Sequence, residues 1–80
     1  MKNTAKNRKE YRNMVLFNSE NPIGTAVIVV GDDGSKMNSV TTSLAWMAGQ
    51  EREYLGHTAV IGLEGPSGGF ALSRVKRSKP

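Results

Sequence analysis

Eighty residues, with 11 Lys and Arg against 7 Asp and Glu, no cysteine and one histidine, set narrow limits. A chain this short makes one domain and hides only about 60% of its extended-chain surface on folding. Disulfides and thiolate metal sites are excluded, and His57 alone builds no histidine-rich centre, so no metal or cofactor is expected. Self-association is the remaining way to thicken so small a core, and a homo-oligomer is the corresponding expectation.

No segment approaches the roughly 18 apolar residues that span a bilayer, so no membrane partner is expected. The first apolar run after the basic N-terminus is only four residues long, too short for a signal-peptide core. With no cysteine, this points to the cytoplasm.

In chain order, residues 1–12 are polar and rich in Lys and Asn, and read as a flexible basic arm with no apolar stripe to hold a helix down. Met14-Val15-Leu16-Phe17 reads as a short strand, and Asn18 to Pro22 as a turn, because Pro22 disfavours helix at Asn21. Residues 24–30 give the clearest strand, apolar on both faces: Val27 and Val29 on one, Ala26, Ile28 and Val30 on the other. Asp32-Asp33-Gly34 supplies a hairpin turn with Gly34 in the left-handed position, and residues 36–43 return as its partner strand. Residues 44–54 read as one or two helical turns cut by Gly49, followed by a loop closing at Gly56. Residues 58–63 and 70–76 form a last hairpin across Gly65-Pro66-Ser67-Gly68-Gly69. The fold class is therefore mainly β: a small five-stranded barrel over residues 13–77, one short helical turn, and flexible basic termini at 1–12 and 78–80.

Charge is segregated along the chain. Residues 1–12 carry Lys2, Lys6, Arg8, Lys9 and Arg12 against Glu10; residues 74–80 carry Arg74, Lys76, Arg77 and Lys79. The stretch between is acidic, with Lys36 and Arg52 against Glu20, Asp32, Asp33, Glu51, Glu53 and Glu64. Two readings fit: cationic arms that neutralise phosphates on DNA or RNA, or solubilising ends on a stable core. Neither end has the interleaved aromatics of a stacking platform, since Tyr11 stands alone.

The ordered set Pro22-x-Gly24-Thr25-x-Val27, Asp32-Asp33-Gly34, Thr42-Ser43-x-Ala45-Trp46-x-x-Gly49, Val60-x-x-x-Glu64-Gly65 and Gly68-Gly69-Phe70-x-Leu72-x-Arg74-Val75 resembles a group of small phage and prophage proteins. The resemblance covers residues 22–75 and implies an SH3-like barrel, with no assigned activity and no catalytic residue to carry over. The charged stretch 50–56 and the basic N-terminal segment depart from that group's pattern.

Candidate chemistry is sparse. Asp32 and Asp33 are adjacent turn residues that point apart and lack a third acidic ligand, so turn chemistry outweighs metal binding. His57 with Glu51 or Glu53 would be an acid–base pair, but a lone histidine opening a strand reads first as a surface residue. Gly65-x-x-Gly68-Gly69 lies between strands, whereas a phosphate loop precedes a helix, so it reads as a hairpin. Trp46, the only tryptophan, reads as a core anchor, with an exposed hot spot beside Arg52 and Tyr54 as the alternative.

The candidate binding residues are thus Arg8, Lys9, Arg12, Trp46, Arg52, Tyr54, Arg74, Lys76 and Arg77. The leading expectation is a non-enzymatic module engaging a host or phage protein as inhibitor or accessory factor. The alternative is a nucleic-acid binder with its basic ends on phosphates. An enzyme assembled from several copies is the third, and no residue marks its site.

Overall fold

A computed structural model describes residues 3–65 and 68–78. Lys2, Lys79 and Pro80 of the expected basic ends, and Pro66 and Ser67 at the tip of the last hairpin, lie outside those residues.

The N-terminal third corrects the sequence reading. Where an arm and a strand were expected, one 16-residue helix, α1, covers Ala5–Glu20. Thr4 caps it, its hydroxyl accepting the Asn7 N–H at 3.3 Å. No Gly or Pro interrupts it, and it stops at Asn21, extended at φ −133°, immediately before Pro22.

What holds α1 to the body is largely polar. Asn7 and Asn21 are buried, and Glu10, Met14, Phe17 and Asn18 are half-buried along the same side. The spacing is helical, 7-10-14-17/18-21, but the stripe is built from amides and a carboxylate as much as from carbon. Asn18 makes a two-point clamp on Ala45: Oδ1 accepts the Ala45 N–H at 2.8 Å and Nδ2 donates to the Ala45 carbonyl at 3.0 Å. Glu10 Oε1 accepts the Ala59 N–H at 3.3 Å. Just before the helix, Asn3 Oδ1 accepts the Leu55 N–H at 2.8 Å, and its Nδ2 donates to the Glu53 carbonyl at 2.9 Å. Met14 and Phe17 pack on the core.

Six strands follow in two three-stranded antiparallel sheets. In the first, β1 (Ala26–Val30) lies between β2 (Lys36–Val40) and β6 (Val75–Arg77). In the second, β4 (Thr58–Gly62) lies between β3 (Trp46–Ala48) and β5 (Gly69–Ala71). The hairpin joining β1 to β2 is as expected, with Gly34 at φ +84° and Gly31 and Ser35 paired across a three-residue loop.

Two further expectations are corrected. Residues 44–54 hold no helix: Trp46 pairs with Val60 and Met47 with Ala59, and Gly49 at φ +78° turns the chain out of the strand. Residues 70–76 are not one strand, because a 3-10 turn at Leu72–Arg74 drops Leu72 into the core and passes the chain from β5 in the second sheet to β6 in the first.

The sheets face each other across Val27, Val29, Ala45, Met47, Ala59, Ile61, Leu63, Leu72 and Val75, all buried. Each such side chain contributes about 1.5–3 kcal/mol if fully removed from water, the alanines less. The bridge from Thr41 to Leu63, flanked by Thr42 N–H to Gly62 O and Glu64 N–H to Val40 O, both at 2.9 Å, joins the sheets along one side. Among the described residues the barrel does not close.

Candidate functional site

The cations of α1 are spread around its exposed part, Lys6 and Lys9 on the flank toward the 3-10 turn. Lys6, Arg8, Lys9 and Arg12 are all exposed, while Glu10, the one acid among them, is turned inward to Ala59. Arg8 and Arg12 are four residues apart, and Lys6–Lys9 and Lys9–Arg12 three apart, so like charges are neighbours on the helix surface. The first turn contains no acidic residue. Lys6 and Arg8 instead place positive charge at the positive end of the macrodipole, an arrangement that opposes the helix by about 0.3–1 kcal/mol per charge. The ion pair among the described residues, Arg74 with Asp32, involves none of the four. A shallow hollow between α1 and the 3-10 turn is lined by Lys6, Lys9, Glu10, Asn13 and Ser73.

A second basic cluster forms on the outer face of the first sheet. Strand register sets Lys76 opposite Ile28 and Lys36 opposite Val30, so both ammonium groups flank one apolar strip, with Arg77 beside them. Lys36 was assigned to the acidic middle of the sequence. Only its pairing with Val30 brings it to Lys76, a long-range fact that no local spacing announces.

Trp46 is not in the core. Its side of β3 faces outward: Met47 is buried while Trp46 is 43% exposed. Its cross-strand neighbours on that face are Val60 and then Ala71. A Cβ built on Gly69 would stand 3.1 Å from both Cη2 and Cζ2 of the indole and 3.0 Å from the Val60 Cβ. The ring therefore lies across the outer sheet face, close over Gly69.

Arg52 and Tyr54 belong to a tight turn, in which Glu51 and Tyr54 exchange backbone hydrogen bonds at 3.1 and 2.8 Å. Arg52 sits at φ +48°, a conformation that costs a side-chain-bearing residue about 1–2 kcal/mol. It is flanked by Glu51 and Glu53, so this turn is no anion site. The structure thus brings together Arg8, Lys9 and Arg12 with Lys6, and separately Lys76 and Arg77 with Lys36. Arg52 and Tyr54 are not joined to either group.

Arg74, on the 3-10 turn, pairs with Asp32, their side chains 47% and 90% exposed. With Gly69, Phe70, Ala71 and residues 29–32 it lines a hollow at the seam between the sheets. Asp33 next to it turns back on its own loop: the Ser35 hydroxyl first, and the Ser35 N–H at 3.0 Å, hold its carboxyl below the usual carboxylate range. His57 shares a 2.9 Å hydrogen bond with the Thr58 hydroxyl. Among the described residues, no three His, Asp or Glu side chains gather as a metal site, and no helix is long and apolar enough to cross a membrane. No family model, curated protein or solved structure matches this chain.

Proposed function

We propose that the protein binds nucleic acid without catalysis, laying the outer side of α1 along the phosphate backbone. The supporting observation is the set Lys6, Arg8, Lys9 and Arg12: exposed on one rigid element, outside the ion pair formed among the described residues, with Lys6 and Arg8 in the first turn opposed to the helix dipole. Charge placed where it opposes folding calls for an external anion. Although residues 13–73 are acidic in composition, the cations of α1 belong to the folded body and are not a detached arm. In the same reading, the order of the two sheets and the 3-10 turn between the last two strands fit an opened SH3-like barrel, a scaffold that displays α1 on one side. Recognition through phosphates carries little sequence preference.

Because Met14 and Phe17 of α1 pack on the core, the test uses substitution rather than deletion. Anisotropy of labelled DNA and RNA is followed over a salt series for the native chain and for Lys6, Arg8, Lys9 and Arg12 replaced by Gln. The native chain binds with a log–log salt slope of about −0.7 to −0.9 per phosphate neutralised, and each replacement removes about one such unit. Folding stability of the variant equals or exceeds that of the native chain. Absence of binding at low salt overturns the reading.

A host or phage protein partner is the second reading, favoured by apolar side chains at the other end of α1. Leu16, Ile23 beyond the helix, and Leu44 beside the Asn18-clamped Ala45 are all exposed. Such a contact is insensitive to salt.

A further inference from the structure

The geometry points to Trp46 as a stacking platform for an unpaired base, with Arg74 placed for the adjoining phosphate, so that the preferred ligand is single-stranded. This rests on the nucleic-acid reading above and narrows it to a substrate class.

Three observations carry it. An indole spread on a sheet face, 43% exposed, presents a flat apolar surface to solvent, and its outward neighbours on the adjacent strands are no larger than Val60 and Ala71. Gly69 carries no positive φ that would demand glycine, yet a Cβ there would press on both the ring and Val60 at 3.0–3.1 Å, so a side chain would push the indole from its place. Gly69, against which the ring lies, also lines the seam hollow to which Arg74 contributes, so hollow and platform adjoin through that glycine. A planar anion-bearing ligand matches that pairing: the base on the ring, the phosphate on the guanidinium. A duplex buries its base faces in its own stack and offers nothing to Trp46.

The Arg74–Asp32 pair modulates the site. Asp32 is almost fully exposed, so the pair is weak and opens readily for a phosphate. Asp32 competes with the ligand for Arg74.

Trp46, the only tryptophan, is its own reporter. Its emission is followed while unlabelled oligothymidylate or oligouridylate is added, alongside anisotropy with labelled oligomers and a matched duplex. The expected result is quenching whose midpoint coincides with the anisotropy curve, and none with the duplex. Trp46→Ala and Gly69→Val each weaken single-strand binding about 5- to 150-fold, the range that one stacked base contributes, and Trp46→Phe weakens it less. Asp32→Asn tightens it and steepens the salt slope by about 0.7.

Oligomer binding with unchanged Trp46 emission overturns the platform and leaves the phosphate reading standing, even if a variant misfolds. Emission that changes on concentrating the protein alone assigns the face to a second copy and also overturns it. No binding by any nucleic acid at low salt removes both.

Discussion

Thr41 is 2% exposed, and its hydroxyl accepts the N–H groups of Gly24 and Thr25 at 3.0 and 3.1 Å. The chain leaving α1 is thereby pinned to the end of β2. Thr41→Val keeps the shape and deletes the acceptor, leaving the Gly24 N–H on the Thr41 carbonyl at 2.9 Å and the Thr25 N–H on the Pro22 carbonyl at 3.2 Å. Urea unfolding is expected to report a loss of about 0.5–1.5 kcal/mol, and a loss below a few tenths would show that those carbonyls serve the donors alone. At this scale the sequence was only partly legible. Gly34 was read correctly, because a left-handed turn position selects glycine from local geometry. Gly69 was read as turn material, whereas its constraint comes from an indole more than twenty positions away in the sequence. Trp46 was read as core because size and apolarity favour burial, and nothing local says which face of a three-residue strand points inward.

Among the elements, α1 was the least legible. Its inward side reads Asn7, Glu10, Met14, Phe17, Asn18 and Asn21, so the helical spacing exists but hydropathy does not trace it. Hydrogen bonds to backbone groups of other elements replace much of the usual apolar stripe. The signals that mark the helix are quieter: Thr4 as cap, sixteen residues without Gly or Pro, and the Asn21-Pro22 stop. The Asn18 clamp is accordingly decisive for docking. Asn18→Ala removes both bonds to Ala45, and native-state hydrogen exchange is expected to show the Ala45 amide losing protection while the β1 and β4 amides keep theirs. A cost of about 1–3 kcal/mol accompanies it. Equal loss across the sheets would make α1 and the sheets one cooperative unit. By contrast, the β1–β2 hairpin and β4 were visible directly, since β-branched runs bounded by turn residues encode them locally. The split of residues 70–76 was not, because the 3-10 turn exists to change sheets, and a change of sheet is a property of the whole fold.

For the whole molecule, the difficulty of an open barrel is its rims. β2, β3, β5 and β6 each have one side without a full strand partner among the described residues. Lys36 and Lys76, set against Val30 and Ile28, place charge near two of those rims, a common guard against sheet-to-sheet association. Replacing both by Val is expected to raise light scattering at neutral pH within hours at concentrations where the native chain stays clear, with nucleic-acid affinity falling much less than in the α1 variant. Unchanged solubility would leave the pair to ligand binding. The net charge of +4 was plain in the sequence, but its disposition was not: the acidic middle and basic ends fold into a body with one basic helix and one basic sheet face. Finally, β1 takes one neighbour from the hairpin that follows it and the other from β6, Val29 lying opposite Val75. During synthesis, this most apolar strand must therefore wait, half-satisfied, until residues 75–77 have emerged from the ribosome. Its first sheet is completed last, so a nascent chain stalled before residue 75 is expected to be a client for chaperones rather than a partly working protein.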